Sequence, residues 1–183
     1  LGRPPLKRLL SGRSFRHIME SVRAPILYVP HVRLPLKRML ICLGGLGYAV
    51  TAETLATQLA AIARPEVTLL TVVPLIDIEY PEAREVREHW QHLTDTNTLP
   101  GKNLRRGLEI AQQAGLTASV KVRNGNVVEE ILEEVKEGNY DLLVMGSAFS
   151  ANALRQLYTP NVTADIAEMD LVPVLTARYA GDV

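Results

Sequence analysis

Cysteine is almost absent from this chain: Cys42 is the single thiol in 183 residues. One thiol excludes an internal disulfide framework and fits a reducing, cytoplasmic setting. Set in an apolar run, it reads as a buried core residue. No apolar run approaches the roughly 20 residues of a helical membrane span, so no span is expected, and no secretory signal pattern is visible. Aromatics are few, one Trp, two Phe and six Tyr, and they do not alternate with basic residues. That removes the stacking platform a nucleic-acid binder needs. Gly44-Gly45-Leu46-Gly47 lacks the spacing of a dinucleotide turn, and no Gly-x-x-x-x-Gly-Lys-Ser/Thr occurs. No nucleophile, base and orienting group can be assembled, so no catalytic residue is expected.

Net charge is lacking too, with 20 Lys and Arg against 20 Asp and Glu. The balance hides an asymmetry. Residues 1–40 hold nine basic residues and one acidic, leaving eleven and nineteen for residues 41–183. Prolines and apolar residues interrupt the basic ones, which favours an arm docked on the acidic body over one reaching for nucleic acid or lipid. Length and 47% hydrophobic content suffice for one α/β domain with extra material.

What is present is alternation. Arg38–Leu43 reads as a strand, Thr51–Ala63 as a helix with Leu55, Leu59 and Ile62 on one face, and Glu66–Val73 as a strand. Glu82–Leu93 reads as a charged helix, and Thr94–Gly101, polar with a Pro-Gly pair, as a mobile loop. Lys102–Ala114 is a helix closed by Gly115, and Ala118–Arg123 a strand. Asn126 caps a helix Val127–Glu137 that Gly138 ends. Its Glu129, Glu130, Glu133, Glu134 and Glu137 read as a solvated face. Asp141–Met145 is a short apolar strand covered on both faces. A helix starting at Asn161 then runs to about Met169, and a strand follows from Val174 to Ala177 after Pro173. Strands alternating with helices through right-handed crossovers give an open, doubly wound parallel sheet.

Ligands of such sheets bind at the carboxyl ends of strands, and helix amino termini favour anions. That points to Met145-Gly146-Ser147 and to Asn161-Val162-Thr163, with a small anion as the simplest ligand. His89 and His92, three apart with Glu85 and Glu88 one turn behind, have a spacing that zinc or nickel accepts. Without a fourth ligand they read as a surface Glu/His helix, and no metal site is expected.

The segment Tyr140–Ala177 resembles the carboxyl half of a universal stress protein domain of the UspA type. That family shows Gly, two residues, Gly, nine residues, Gly, then Ser or Thr, after an apolar strand ending in Met-Gly. Met145-Gly146-Ser147 matches the opening, and Gly125-Asn126 is a further match. Phe149 stands where the second glycine is usual, and Pro160-Asn161-Val162-Thr163 where Gly-Ser-Val-Thr is usual, one residue late. Gly44 replaces an aspartate that touches nucleotide. The resemblance implies a five-stranded sheet ordered 3-2-1-4-5, of the adenine-nucleotide alpha-hydrolase-like kind. It implies a degenerate nucleotide pocket at Gly44, Met145, Gly146, Ser147, Asn161, Val162 and Thr163. Phe149 adds bulk and Pro160 removes an amide donor, so no resident cofactor is expected, ATP being the ligand of the family's binding members. The implied function is a non-catalytic stress-response or regulatory module. The rivals are an ATP- or AMP-binding sensor with a remodelled phosphate loop, with slow ATP hydrolysis open to it, and a regulatory domain of a larger protein such as a transporter or kinase.

An internal repeat accompanies this. At an offset of 148, Leu6 falls on Leu154, Lys7 on Arg155 and Leu9 on Leu157. Ile18 likewise falls on Ile166, Glu20 on Glu168, Pro25 on Pro173 and Leu27 on Leu175. Gly2 and Gly12 keep the family's nine-residue interval. The resemblance implies that residues 1–33 are the tail of a preceding domain plus a linker, with residues 34–183 a complete domain. Leu1 in place of an initiating Met raises the expectation that the chain is a fragment of a longer protein. Unpaired apolar sheet edges invite association, so Ile26–Val29 is expected to pair antiparallel with Val174–Ala177. The chain would then associate through its last strand as a homodimer or as an intramolecular pseudo-dimer.

Overall fold

Two strands rich in β-branched and long apolar residues form the centre of the sheet. They are β2 (Arg38–Cys42) and β3 (Glu66–Pro74), paired in parallel from Arg38↔Glu66 to Cys42↔Leu70. In the computed structural model the structure describes residues 18–19, 22, 24–43, 50–75, 81–147 and 162–178. The other strands are β1 (Ile26–Tyr28), β4 (Ala118–Gly125), β5 (Leu142–Ser147) and β6 (Val174–Arg178). The helices are α1 (Val50–Ala63), α2 (Pro81–Glu88), α3 (Leu99–Gln113), α4 (Val127–Gly138) and α5 (Val162–Ala167).

The sheet order is β1-β6-β5-β2-β3-β4. The five strands from β2 to β6 are parallel and follow the expected 3-2-1-4-5 order. The arm adds a sixth strand to the same sheet. β1 pairs antiparallel with β6 through Ile26↔Thr176, Leu27↔Leu175 and Tyr28↔Val174. The sheet is therefore mixed and six-stranded rather than five-stranded and parallel, because the edge of β6 is taken up within the chain.

Side chains alternate across each strand, so the sheet has two apolar faces. On one, Leu40, Leu143, Met145 and Val174 pack with Ile131 and Val135 of α4, Ala164, Ile166 and Ala167 of α5, and Met19 of the arm. On the other, Met39, Ile41, Leu69 and Val144 meet Ala52, Ala56 and Ala60 of α1 and Leu104 of α3. The buried stripe of α1 is thus alanine, spaced four apart. Ile62, expected on the core face, is 84% exposed. Small residues let the helix lie close to the sheet, and Ile62 falls outside that stripe.

Two further expectations are corrected. The charged helix Glu82–Leu93 stops at Glu88 and continues as a 3₁₀ segment, Trp90–Asp95, kinked at His92. The polar stretch Thr94–Gly101 is ordered. Thr96 Oγ1 donates to the Leu93 carbonyl at 2.8 Å and lies 2.7 Å from Thr98 Oγ1. Thr98 in turn accepts from the Gly101 amide at 3.3 Å, capping α3. Arg105 Nη1 donates to the Thr96 carbonyl at 2.6 Å. Pro100 falls in the first helical turn, where its missing N–H is not needed. Asn126 caps α4 as expected, accepting from Val128 N at 3.0 Å and Glu129 N at 3.3 Å. The left-handed residue that closes α4 is Asn139, with φ 49°, rather than Gly138.

The arm is fastened at several points. Met19 is buried in the core, Tyr28 OH donates to Asp170, and Arg33 donates to the carbonyls of Tyr140 at 2.7 Å and Leu171 at 2.9 Å. Asp141 accepts from the Lys37 and Arg38 amides at 2.8 and 3.0 Å, joining the starts of β2 and β5.

Candidate functional site

The chain runs from β2 outward to β3 and β4, then returns to β5 on the other side of β2. The carboxyl ends of β2 and β5 are therefore the point where the strand order reverses, and the crevice beyond them is the natural ligand position of such a sheet. Cys42 and Met145 are register partners there. β5 runs two residues further and pairs Gly146 with Ala177 and Ser147 with Arg178. The exit of β2 is fixed by the Leu43 amide, which donates to the Leu70 carbonyl at 2.8 Å. The Leu43 carbonyl accepts from Thr71 Oγ1 at 3.3 Å.

Of the residues expected in the pocket, the structure brings Met145, Gly146, Val162 and Thr163 together. Thr163, at the start of α5, is buried, and its Oγ1 lies 3.4 Å from the Gly146 carbonyl oxygen. Ser147 closes β5. Gly44, Asn161, Phe149 and Pro160 lie outside the described residues. Cys42 and Met145 pack into the core shared with α4 and α5. Burial, reinforced by the nearby Glu134 carboxylate, pushes the Cys42 thiol well above its ordinary pKa. This thiol is therefore a core group rather than a nucleophile. One strand over, Thr176 is the register partner of Met145, and its buried hydroxyl has no hydrogen-bond partner among the described residues.

His89 and His92 do not share a helix. His89 precedes the 3₁₀ segment with Nδ1 3.2 Å from the Glu85 carbonyl oxygen, and His92 sits at the kink. Among the described residues no group of three or more His, Cys, Asp or Glu could hold a metal ion.

The main ionic cluster is one that sequence reasoning placed in solvent. Glu134 of α4 is completely buried. Its Oε1 accepts from Lys121 Nζ at 2.7 Å and from Tyr140 OH at 2.6 Å, and its Oε2 accepts from Arg123 Nε at 2.9 Å. Arg123 also binds Glu130 at 3.3 Å and Glu137. Burial raises the Glu134 carboxyl, but the hydrogen bonds from Lys121, Tyr140 and Arg123 together outweigh it, and the group titrates below its ordinary range. The Tyr140 phenol is pushed up to about 12 by burial and by its bond to Glu134. A signal was available: Glu134 lies three residues after Ile131 and seven after Val127, on the apolar stripe of its helix. Lys121 and Arg123, two apart, share one face of β4. The cluster clamps α4 to the sheet edge.

A family model described as the universal stress protein family matches residues 35–178. Solved structures give the same fold. A universal stress protein in complex with cAMP is 20% identical with a TM-score of 0.60, covering 79% of this chain and 98% of its own. A universal stress family protein from Burkholderia pseudomallei is 18% identical with a TM-score of 0.56, covering 78% and 96%. A universal stress protein from Archaeoglobus fulgidus DSM 4304 is 18% identical with a TM-score of 0.68. It aligns with 97% of this chain, which spans only 58% of that longer protein. No match was found among curated proteins.

Proposed function

This chain belongs to the universal stress protein family, and from that premise we propose that it is a non-catalytic regulatory module of the stress response, acting by association of like-folded domains rather than by turnover. One observation carries the reading. The edge of β6 that could recruit another sheet is already occupied by the chain's own β1 in antiparallel register, with Met19 seated in the same core. On this reading the arm stands in for a partner domain, residues 1–33 being the tail of a preceding copy and residues 34–183 the complete domain. The single thiol suits a cytoplasmic setting.

The pocket at Gly44, Met145, Gly146, Ser147, Asn161, Val162 and Thr163 is, on this reading, a degenerate nucleotide site. Gly44 supplies no carboxylate, Phe149 takes up space, and Pro160 withholds an amide. A small anion is the ligand it would still accept. The second reading is an ATP- or AMP-binding sensor with a remodelled phosphate loop. It is favoured by the fold shared with the protein solved in complex with cAMP.

Native mass spectrometry and calorimetry separate the two. The 183-residue chain is expected to carry no co-purified nucleotide, to show no micromolar affinity for ATP, AMP or cAMP, and to be monomeric. Prolines at both Ile26 and Leu27 remove two successive amides, which point to opposite edges of a strand, so one of them must face β6; the double variant is expected to free β6 and yield a concentration-dependent dimer. Micromolar ATP affinity would hand the assignment to the sensor. A double variant that stays monomeric would remove the edge-strand argument.

A further inference from the structure

The two ends of the sheet carry different chemistry. At one end β1 lies on β6, and every residue of that pairing is uncharged: Ile26, Leu27 and Tyr28 against Val174, Leu175 and Thr176. At the other end β4 pairs with β3, and no strand lies beyond it among the described residues. β4 is the longer strand of the two ends. It spans eight residues, in register with β3 from Val67↔Ala118 to Pro74↔Gly125. Its Ala118, Val120 and Val122 pack on the α1 and α3 face. A long strand with an apolar face and a free row of amides and carbonyls is a template on which another strand can form.

The opposite face of β4 carries Ser119, Lys121 and Arg123. Both cations lean inward onto one acid, with Lys121 Nζ 2.7 Å from Glu134 Oε1 and Arg123 Nε 2.9 Å from Glu134 Oε2. Arg123 also holds Glu130 and Glu137. The cluster is not needed to seat α4, whose Val127, Val128, Ile131, Leu132 and Val135 already lie in the core. Buried ion clusters are often no more stabilising than apolar residues of the same volume, because their desolvation is costly. The charge here has a use at the edge itself. An added strand would run about 4.8 Å from β4, with side chains opposite Lys121 and Arg123 at about 4.5–5.5 Å. The Lys121 side chain is 47% exposed, and that strand would strip water from it. An apolar residue opposite would leave the ammonium desolvated, and a basic one would repel it. An acidic one would compete for it with Glu134, which is fully buried and cannot follow it outward. Another copy of β4 laid antiparallel about Val122 would set Arg123 against Lys121 twice.

We propose that Lys121 and Arg123, folded inward on Glu134, guard this edge and make β4 the closed end of the sheet. No extended segment, from a second copy or from another protein, then adds to it. Inward-pointing charges and edge lysines are how sheet proteins keep a free edge single. The inference is independent of where the arm comes from and of what the β2/β5 crevice binds.

The test replaces the cluster with apolar residues in the 183-residue chain: Lys121→Val, Arg123→Val, Glu134→Leu and Tyr140→Phe together, the last because its hydroxyl loses its acceptor. Circular dichroism checks the fold. Sedimentation velocity and concentration-dependent hydrogen exchange follow association at about 1 M salt, which screens the remaining Glu130 and Glu137. The fourfold variant is expected to self-associate at least about tenfold more tightly than wild type, and its β4 amides to gain protection as concentration rises. Returning Lys121 alone is expected to restore wild-type behaviour, since its stem can lie on the apolar surface with its ammonium in water. A folded variant whose β4 exchange ignores concentration would overturn the proposal. So would association that survives the return of Lys121, or protection gained outside β4, because either marks general stickiness rather than a guarded edge. Should the fourfold variant not fold, Lys121→Val alone decides, since Glu134 keeps Arg123 and Tyr140. It is expected to show the same concentration-dependent protection of β4 in smaller measure, and its absence would equally overturn the proposal.

Discussion

Glu134→Gln removes one negative charge from a fully buried position and leaves the side-chain volume nearly unchanged. Three donors lose an anionic acceptor: Lys121 at 2.7 Å, Tyr140 at 2.6 Å and Arg123 at 2.9 Å. Breaking a buried ion pair by removing one partner costs about 3–5 kcal/mol. Two features reduce that figure here. The Lys121 side chain is 47% exposed, so water rehydrates its ammonium. Arg123 keeps Glu130 and Glu137. The expected loss at neutral pH is about 2–3 kcal/mol, or roughly 4–12 °C in Tm for a domain of this length. The pH dependence is the sharper test. The Glu134 carboxyl titrates below its ordinary range in the folded protein. It therefore contributes stability fully above the unfolded value of about 4.3 and loses it as pH falls through the folded value. Urea unfolding of wild type and Glu134→Gln at neutral pH and at about pH 3 should show a full gap in the first case and a narrowed one in the second. A variant as stable as wild type at neutral pH, or a gap unchanged in acid, would refute the assignment of a buried carboxylate held by three donors.

Three further outcomes are expected. A Cβ on Gly101 would lie 2.2 Å from the Leu93 carbonyl oxygen and 2.7 Å from Thr96 Oγ1, so Gly101→Ala should cost about 1–3 kcal/mol. Gly115→Ala meets nothing within 4 Å and should cost only the left-handed backbone, about 1 kcal/mol; thermal melts showing the reverse order would contradict this. Thr176→Val removes a buried hydroxyl without a partner among the described residues and should raise stability by about 1 kcal/mol in urea titrations, whereas a loss of that size would reveal a bond. Cys42 should resist Ellman's reagent in the native protein at neutral pH and react after unfolding, because burial and the neighbouring Glu134 disfavour its thiolate; rapid stoichiometric labelling of native protein would contradict that.

Much of the architecture was legible without coordinates because it is written in local chemistry. Strand and helix periods, the Asn126 cap and the Gly115 stop are set by neighbours a few residues apart, and right-handed crossovers then leave little freedom in strand order. The 148-residue repeat also foretold the β1–β6 pairing, since two copies of one edge strand satisfy each other. Glu134 was misread because charge was weighed above helical position. Only the tertiary structure supplies the Lys121, Arg123 and Tyr140 donors that make burial of its charge affordable. The Thr94–Gly101 stretch was misread because its order comes from Thr96, Thr98 and Arg105 converging across a kink, a constraint with no periodic trace. The expected pocket is a mixed case. The sequence by itself determined that Met145-Gly146-Ser147 lies at the carboxyl end of a buried strand, through an apolar run followed by small residues; that Gly146 and Ser147 stay in the ladder was decided by their pairing with β6. That Thr163 would turn its hydroxyl onto the Gly146 carbonyl was decided by the fold, as was the meeting of Cys42 with Met145 across a switch in strand order. Those contacts join residues far apart in the chain, and distance between such residues is a property of packing alone.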